Sequence, residues 1–440
     1  MMTKGTLPAR RYWSVLAAIL LVAFGVRLAA VAWVPTIPTS DFWSYFQRGS
    51  SLADTGVYEA VPGRPDASYP PAYPLLLSLF FRLPVNRLIA AKLVNVVLGT
   101  LAVLLLAAVT RSLFGEPPSL IAAAIAALNP RSILCSLLIA SENLFLPLLL
   151  AWILVMLWSS PRDDWKGPVL GGILLGAATL TRVVAWLLPV PWLLSRSPLN
   201  PKARSLVHLL LLVICEVIVM LPWAVRNAIV LGHPTFLTST AGINLFIGNN
   251  PNATGQWYPW LQDMEEIDPA FSRRSLPDQD RAAARAAVRW IGSNPLEAVS
   301  LYLTKWRLMF IDDRFPLDAA ALATDVTPPW PSADVLAGEH PLKTHSAVLL
   351  GFTNAFYWAL LSLGILGALR SLPLSRSNAQ HPLLSQWLLL VLSALYFPTV
   401  SAIFLASSRF HWPTLDLLIP FAANVIGHPL RLALLRRRER

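Results

Sequence analysis

The chain has 440 residues, of which 55% are hydrophobic and only 13% charged, with 17 Trp, and its mean hydropathy is +0.56. Polar side chains this scarce cannot cover the surface of a soluble globule, which leaves a polytopic membrane protein. The net charge of +11 does not point to nucleic acid, because no basic stripe with interleaved aromatics stands outside the apolar runs.

The excess charge gathers beside hydrophobic segments: Lys4, Arg10 and Arg11; Arg196, Lys202 and Arg204; Arg436, Arg437, Arg438 and Arg440. Such clusters mark cytoplasmic ends of spans. The first apolar run, residues 12 to 34, is long enough to cross a bilayer and lacks a small-residue cleavage site, so it reads as a retained helix rather than a removed signal.

The loop from 35 to 72 follows at once, carrying Ser40-Asp41-Phe42-Trp43-Ser44-Tyr45 and, later, Tyr69-Pro70-Pro71-Ala72-Tyr73-Pro74. It places a carboxylate at a membrane surface, and Asp41 is the first candidate for chemistry. The plain alternative is a helix cap, since Ser-Asp before an aromatic stretch is a common helix start. Phe42, Trp43, Tyr45 and Phe46 suit a helix lying along the interface.

Hydropathy then gives spans at 86 to 110, 119 to 140, 143 to 159, 205 to 221, 347 to 369, 383 to 404 and 409 to 427. Residues 168 to 180 and 182 to 195 are shorter apolar pieces meeting at Thr181-Arg182; an Arg amid apolar sequence must face protein or a wet cavity, which predicts a bent pair returning to its starting side. Segments 73 to 83 and 296 to 311 are left undecided, and the count is about ten spans. The basic clusters put the N-terminus, 111 to 118, 160 to 167, 196 to 204, 370 to 382 and the C-terminal tail inside, and the loops 35 to 72, 222 to 295 and 312 to 346 outside.

Glu142, between two apolar runs, then falls on the same outer side as Asp41 and is a functional candidate at that depth, with helix capping as its alternative. The loop 222 to 295 contains Asn244, Gly248-Asn249-Asn250-Pro251 and a predicted amphipathic helix over 278 to 293, on which Arg281, Arg285 and Arg289 recur at spacing four and suit lipid headgroups. Arg64, Arg226, Lys305 and Arg409 run against the positive-inside bias, and a cation there can hold either a headgroup or a substrate phosphate. Cys135 and Cys215 sit in apolar runs as small buried hydrophobes. No phosphate-binding Gly-rich loop, dinucleotide fingerprint, zinc helix or Gly-x-Ser-x-Gly elbow is present.

In order along the chain, Ser40-Asp41 with Tyr45, Ala53-x-Thr55-Gly56-x-Tyr58 and Tyr69-Pro70-Pro71-x-Tyr73-Pro74 resemble the first outer loop of the polytopic glycosyltransferases of the C superfamily, especially glycosyltransferase family 39 with its protein mannosyltransferase and aminoarabinose transferase relatives. Ser141-Glu142 resembles that family's second acidic site, Leu180-Thr181-Arg182 its Thr-Arg-Pro bend, with Val183 in place of Pro. Pro222-Trp223-x-x-Arg226-Asn227 followed by Asn244-Leu245-x-x-Gly248-Asn249-Asn250-Pro251 resembles its large outer loop, and Arg409-Phe410-His411-Trp412-Pro413 the opening of a late helix.

The resemblance implies transfer of a sugar from a polyprenyl-phosphate or polyprenyl-diphosphate donor to a lipid, glycan or protein acceptor, in the plasma membrane and at its outer or periplasmic face. It makes Asp41 the general base, with inversion of configuration. Arg226 and Arg409, with Arg64 and Lys305, become partners of the leaving phosphate, and Glu142 orients the acceptor or completes a cation site. Tyr45, Tyr69, Tyr73, Arg182 and Asn249 complete the expected substrate-binding set. Some relatives bind a divalent cation, but no ligand cluster in this sequence demands one, and no cofactor is assigned. The competing reading is a transporter or flippase of lipid-linked sugars, which predicts charges along both leaflets rather than polar motifs gathered on one side.

The expected fold is all-α: one membrane-embedded domain over 1–440, with about ten transmembrane helices and an outer cap of interfacial helices. In it the loop 35 to 72 is catalytic and the loop 222 to 295 forms a cap over Asp41, with Asp41 and Glu142 sharing one cleft.

Overall fold

The computed structural model describes residues 9–34, 36–159, 164–196, 202–232, 234–324, 343–373 and 381–436. Lys4, Arg437, Arg438 and Arg440, and parts of the loops 160–167, 196–204, 312–346 and 370–382, lie outside the described residues. Among the described residues the regular structure is helical, save one antiparallel hairpin of β1 (Glu59–Val61) and β2 (Arg64–Pro65).

In chain order, α1 (Ala9–Trp33) precedes α2 (Ser40–Asp54), and the hairpin then leads to α3 (Ala72–Phe81) and α4 (Arg87–Phe114). The chain continues through α5 (Glu116–Ala127), α6 (Pro130–Cys135), α7 (Glu142–Ser159), α8 (Lys166–Thr179), α9 (Pro189–Arg196) and α10 (Lys202–Leu231). Next come α11 (Ala241–Gly248), α12 (Leu261–Ile267), α13 (Leu276–Ser293), α14 (Pro295–Met309) and α15 (Phe315–Thr324), and the chain closes with α16 (Lys343–Arg370), α17 (His381–Phe404) and α18 (Trp412–Arg436).

Among the described residues six helices, α1, α4, α7, α10, α16 and α17, are long and apolar enough to cross a bilayer, against the sequence count of about ten spans. Large apolar side chains such as Leu21, Ile229 and Val348 stand exposed on them, as a lipid-facing surface requires. The core between helices holds Phe145, Trp152, Tyr357, Phe397 and Phe421. Close approach comes from small residues: a Cβ on Gly172 would lie 2.3 Å from the Leu212 carbonyl oxygen, and one on Gly176 would lie 2.7 Å from Val219 Cβ. The Gly-x-x-x-Gly pair therefore seats α8 against α10, the small-residue packing that membrane helices favour.

Two predicted boundaries are corrected. The span expected over 119 to 140 is a broken helix, because α5 stops at Ala127 and Asn129-Pro130 starts α6, with the Asn129 side chain accepting the Arg131 N–H at 3.2 Å. The carbonyls freed at the end of α5 need partners in a water-free interior. Buried Arg27 donates to Ala126 O and Ala127 O, both at 3.1 Å. The span expected to end at 221 continues through Pro222 to Leu231, so the large loop begins ten residues later; a proline inside a membrane helix is tolerated where neighbours satisfy the freed groups. The bend at Thr181-Arg182 is present: α8 ends at Thr179, a 3-10 turn covers Val183–Leu187, and α9 follows. α3 and α14 are too short to cross alone.

Helices α11 to α14 form a cap with a small core of its own, centred on Phe246, Met264, Phe271 and Ala283. The predicted amphipathic helix is α13, with Ala282, Ala283, Ala286 and Ala287 inward and Arg281, Arg285 and Arg289 outward. The cap is tied to the loop after the hairpin by Ser239 N–H to Ala67 O at 3.1 Å, and to the end of α17 by Asn249 Nδ2 to Ile403 O at 2.9 Å.

Candidate active site

Asp41 stands in the first turn of α2, which the chain enters through Ser40 at φ +48°. A non-glycine residue in the left-handed region is uncommon and persists only when its surroundings hold it. The N-cap residue is Thr39, so Asp41 is free of the capping role that its sequence context allows. Its Oδ1 accepts the Tyr69 hydroxyl at 2.7 Å and its Oδ2 accepts Arg409 Nη1 at 3.0 Å.

Glu142 opens α7 after the unwound residues 136–141, an apolar stretch whose backbone is held by buried side chains. Asn143 Nδ2 donates to Cys135 O, Leu138 O and Ala140 O, and Asn95 Nδ2 reaches Leu138 O at 2.8 Å. The Glu142 carboxylate is bound from two sides. Arg182 Nη1 lies 2.6 Å from its Oε1, while Arg409 donates through Nε to Oε1 and through Nη2 to Oε2 at 3.3 Å. Arg182 reaches this point because residues 180–182 unwind after α8 and leave it extended, at φ −146°.

One guanidinium therefore joins both carboxylates, and Asp41, Glu142, Arg182, Arg409 and Tyr69 form a single cluster at one end of the bundle. Exposure separates them. The Asp41 side chain is 39% accessible, against 11% for Glu142 and 10% for Arg409, so Asp41 is the more open of the two carboxylates. Burial opposes the charge on Arg409, but the Glu142 and Asp41 carboxylates outweigh it and hold its pKa above the ordinary value. Burial, reinforced by Asp41, pushes the Tyr69 and Tyr45 phenols up, so Tyr69 keeps its proton and remains a donor to Asp41.

A second layer supports the first. Tyr45 packs edge-on against Tyr69 and Tyr73, at 5.2 and 5.7 Å between ring centres, and Tyr73 donates to Asn95 at 2.7 Å. Arg48 pairs in bidentate fashion with Asp66 at 2.8 and 2.9 Å and lies 4.8 Å over the Tyr69 ring. Arg48 and Asp66 were not among the residues singled out from sequence; the signal is that Asp41, Tyr45 and Arg48 share one face of α2 at spacings four and three.

The remaining sequence candidates lie apart from this cluster. Arg226 spends its guanidinium on Asp66 O, Tyr58 O and Asn227 Oδ1, at 2.8 to 2.9 Å, bracing the first loop. Lys305 and Asn249 pair with each other at 3.1 Å in the cap. Arg64 is exposed on β2. The cap is bonded to the loop that carries Tyr69, through Thr240 Oγ1 to Ser68 O at 3.3 Å, and to the end of α17, which leads to Arg409. Arg409 is bonded to both the Asp41 and the Glu142 carboxylate, and among the described residues no group of three or more His, Cys, Asp or Glu side chains is placed to hold a metal ion.

The chain has the fold of an oligosaccharyltransferase from Archaeoglobus fulgidus, on which it superposes with TM-score 0.55 at 15% identity, covering 97% of this chain and 52% of that one. A second structure of the Archaeoglobus enzyme, AglB in complex with an inhibitory peptide and a dolichol-phosphate, matches with TM-score 0.54 at 15% identity over 97% and 51%. The chain thus spans about half the length of these proteins. ArnT from Cupriavidus metallidurans, bound to undecaprenyl phosphate, superposes with TM-score 0.43 at 15% identity, covering 96% and 78%. Residues 68–225 match the dolichyl-phosphate-mannose-protein mannosyltransferase family, a stretch that contains Tyr69, Tyr73, Glu142 and Arg182 but neither Asp41 nor Arg409. No curated relative matches significantly.

Proposed function

We propose that this protein transfers a sugar from a polyprenyl-phosphate donor to an acceptor at the outer face of the plasma membrane, with inversion at the anomeric carbon. The observation that carries the reading is Arg409, whose guanidinium joins an open carboxylate to a buried one at the end of an apolar bundle. A lipid-linked donor needs an apolar flank for its tail and a cationic seat for its phosphate, and this arrangement offers both. Asp41 takes the proton from the acceptor hydroxyl as that oxygen bonds to the anomeric carbon. The bond from that carbon to the phosphate oxygen breaks, and its electron pair leaves on the phosphate.

That charge needs fixed cations rather than a proton. Arg409 and Arg182 supply them, each able to exchange part of its carboxylate contact for the phosphate. Glu142 holds the two guanidiniums in register, and Tyr69 orients Asp41. The likeness to AglB in complex with a dolichol-phosphate supports the donor class through the shared fold; the sugar and the acceptor are left to experiment.

The test is a panel of synthetic polyprenyl-phosphate sugars presented to the purified protein in nanodiscs, with water and a mixed acceptor pool, and NMR of the product. Sugar released or transferred with the opposite anomeric configuration is expected. Turnover with retained configuration contradicts the single displacement, and tight donor binding without turnover brings the flippase reading forward.

A further inference from the structure

Beneath the turn that carries Arg409 lies a second buried polar cluster, which the transfer chemistry does not use. Its centre is Asp313, 3% exposed, on the short connection between α14 and α15. Asp313 Oδ1 accepts the indole N–H of Trp412 at 3.0 Å and lies 3.4 Å from His411 Nε2, while Oδ2 faces Arg131 Nη1 at 4.0 Å. Its backbone N–H donates to Asn354 Oδ1 on α16 at 3.0 Å. Arg131 in turn pairs with Asp416 at 2.7 Å.

His411 is fully buried between two rings, with Phe310 at 5.5 Å and Tyr357 at 5.1 Å between centres, both within 24° of parallel. Its other ring nitrogen, Nδ1, contacts Met309 O. Both nitrogens of the ring thus face oxygens, and the ring cannot turn without losing both.

Arg409 and His411 belong to the same 3-10 turn, Ser408–His411. A single short turn has little rigidity of its own, and its local braces come from Ser407, whose Oγ accepts the Arg409 N–H at 3.3 Å and whose carbonyl accepts the Phe410 N–H at 2.9 Å. Yet Arg409 must meet Asp41 and Glu142 together. The fixed point is three residues on, where Asp313 accepts the Trp412 indole N–H, beside the buried and ring-stacked His411; Phe315, edge-on to Trp412 at 5.7 Å, then forms the wall against which the Arg409 guanidinium lies at 5.4 Å.

We propose that Asp313 is a positioning residue for Arg409: by holding the Trp412 indole N–H at the end of the turn it aims the Arg409 guanidinium at the donor phosphate. The proposal rests on the reading of Arg409 as a phosphate ligand, and the experiment separates the two by measuring phosphate binding apart from sugar transfer. Dissociation constants for undecaprenyl phosphate are measured in detergent for the wild type, Asp313→Asn, Arg409→Lys and the double variant, with Trp412→Phe as a neutral second probe that removes one bond to Asp313 while preserving the ring.

Expected is a weakening of about tenfold for Asp313→Asn, a smaller one for Trp412→Phe, and little further loss when Asp313→Asn is added to Arg409→Lys, the non-additivity of residues acting through one another. Equal losses in both Arg409 backgrounds would show that Asp313 acts on the fold at large and would overturn the proposal, as would unchanged affinity in both Asp313→Asn and Trp412→Phe. If instead Arg409→Lys binds as the wild type does, the phosphate-ligand reading itself falls. If Asp313→Asn fails to fold, Trp412→Phe in the two Arg409 backgrounds makes the same comparison.

Discussion

At the scale of single residues, the account turns on how four charges are shared. Arg409 is committed to two carboxylates in a fork that lysine cannot reproduce, since an ammonium is a point charge without fixed geometry. Arg409→Lys is therefore expected to lower kcat/KM for donor by about 100-fold, on the order of 3 kcal/mol, within the range of losing one preorganised donor to a developing charge. Steady-state kinetics check this; a change under threefold contradicts it. Tyr69→Phe removes one neutral donor to Asp41 and is expected to lower kcat by roughly fivefold, about 1 kcal/mol. These residues were visible in the sequence as types in context: an acid straight after a span, an acid between two apolar runs, arginines against the charge bias. Their sharing of one guanidinium was not, because Arg409 meets Asp41 and Glu142 across separations of 368 and 267 residues.

At the scale of elements, position depends on backbone contacts that hydropathy does not report. α8 delivers Arg182 to Glu142 only if it lies close on α10. Gly176→Leu, whose added atoms would meet Val219 and the Glu216 carbonyl, is expected to force the helices apart, lower the Tm by several degrees and reduce transfer in parallel; unchanged stability contradicts the packing argument. The break at Asn129-Pro130 escaped hydropathy because both sides of it are apolar. Arg27, capping the freed carbonyls, with Asn143 and Asn95, lacing residues 135–140, explain how an interrupted helix survives there. In the cap, burial lowers the Lys305 pKa from 10.5 to about 8. Between pH 8 and 10 the unfolded chain then binds the more protons at this lysine, so its contribution to stability rises with pH. Thermal unfolding at pH 7 and 9.5 is expected to show the wild type gaining on Lys305→Met as pH rises, and a constant difference between the two proteins contradicts this.

For the molecule as a whole, the sequence made the all-helical membrane class legible through its scarcity of charge, and the order of short motifs made the superfamily likeness legible. Two aspects of the architecture were less so. Span count resists hydropathy where helices break or bend, at 127–142 and 179–189, and the cap is joined through residues whose pairings cross the chain. The orientation assigned from basic clusters makes a direct prediction: Trp257, 63% exposed on the cap, when replaced by cysteine in a Cys135→Ala, Cys215→Ala background, is expected to react with a membrane-impermeant maleimide in intact cells. Labelling only after permeabilisation would invert the topology and move the site to the other face.

The central claim is that Asp41 is the base of a lipid-donor sugar transfer. It is tested most directly by comparing the wild type with Asp41→Asn for turnover and donor affinity in the same preparation. A positioned base contributes about 100- to 10,000-fold, so the account predicts a kcat loss in that range with donor affinity changed by no more than a few-fold. An Asp41→Asn protein that transfers sugar at the wild-type rate would contradict it.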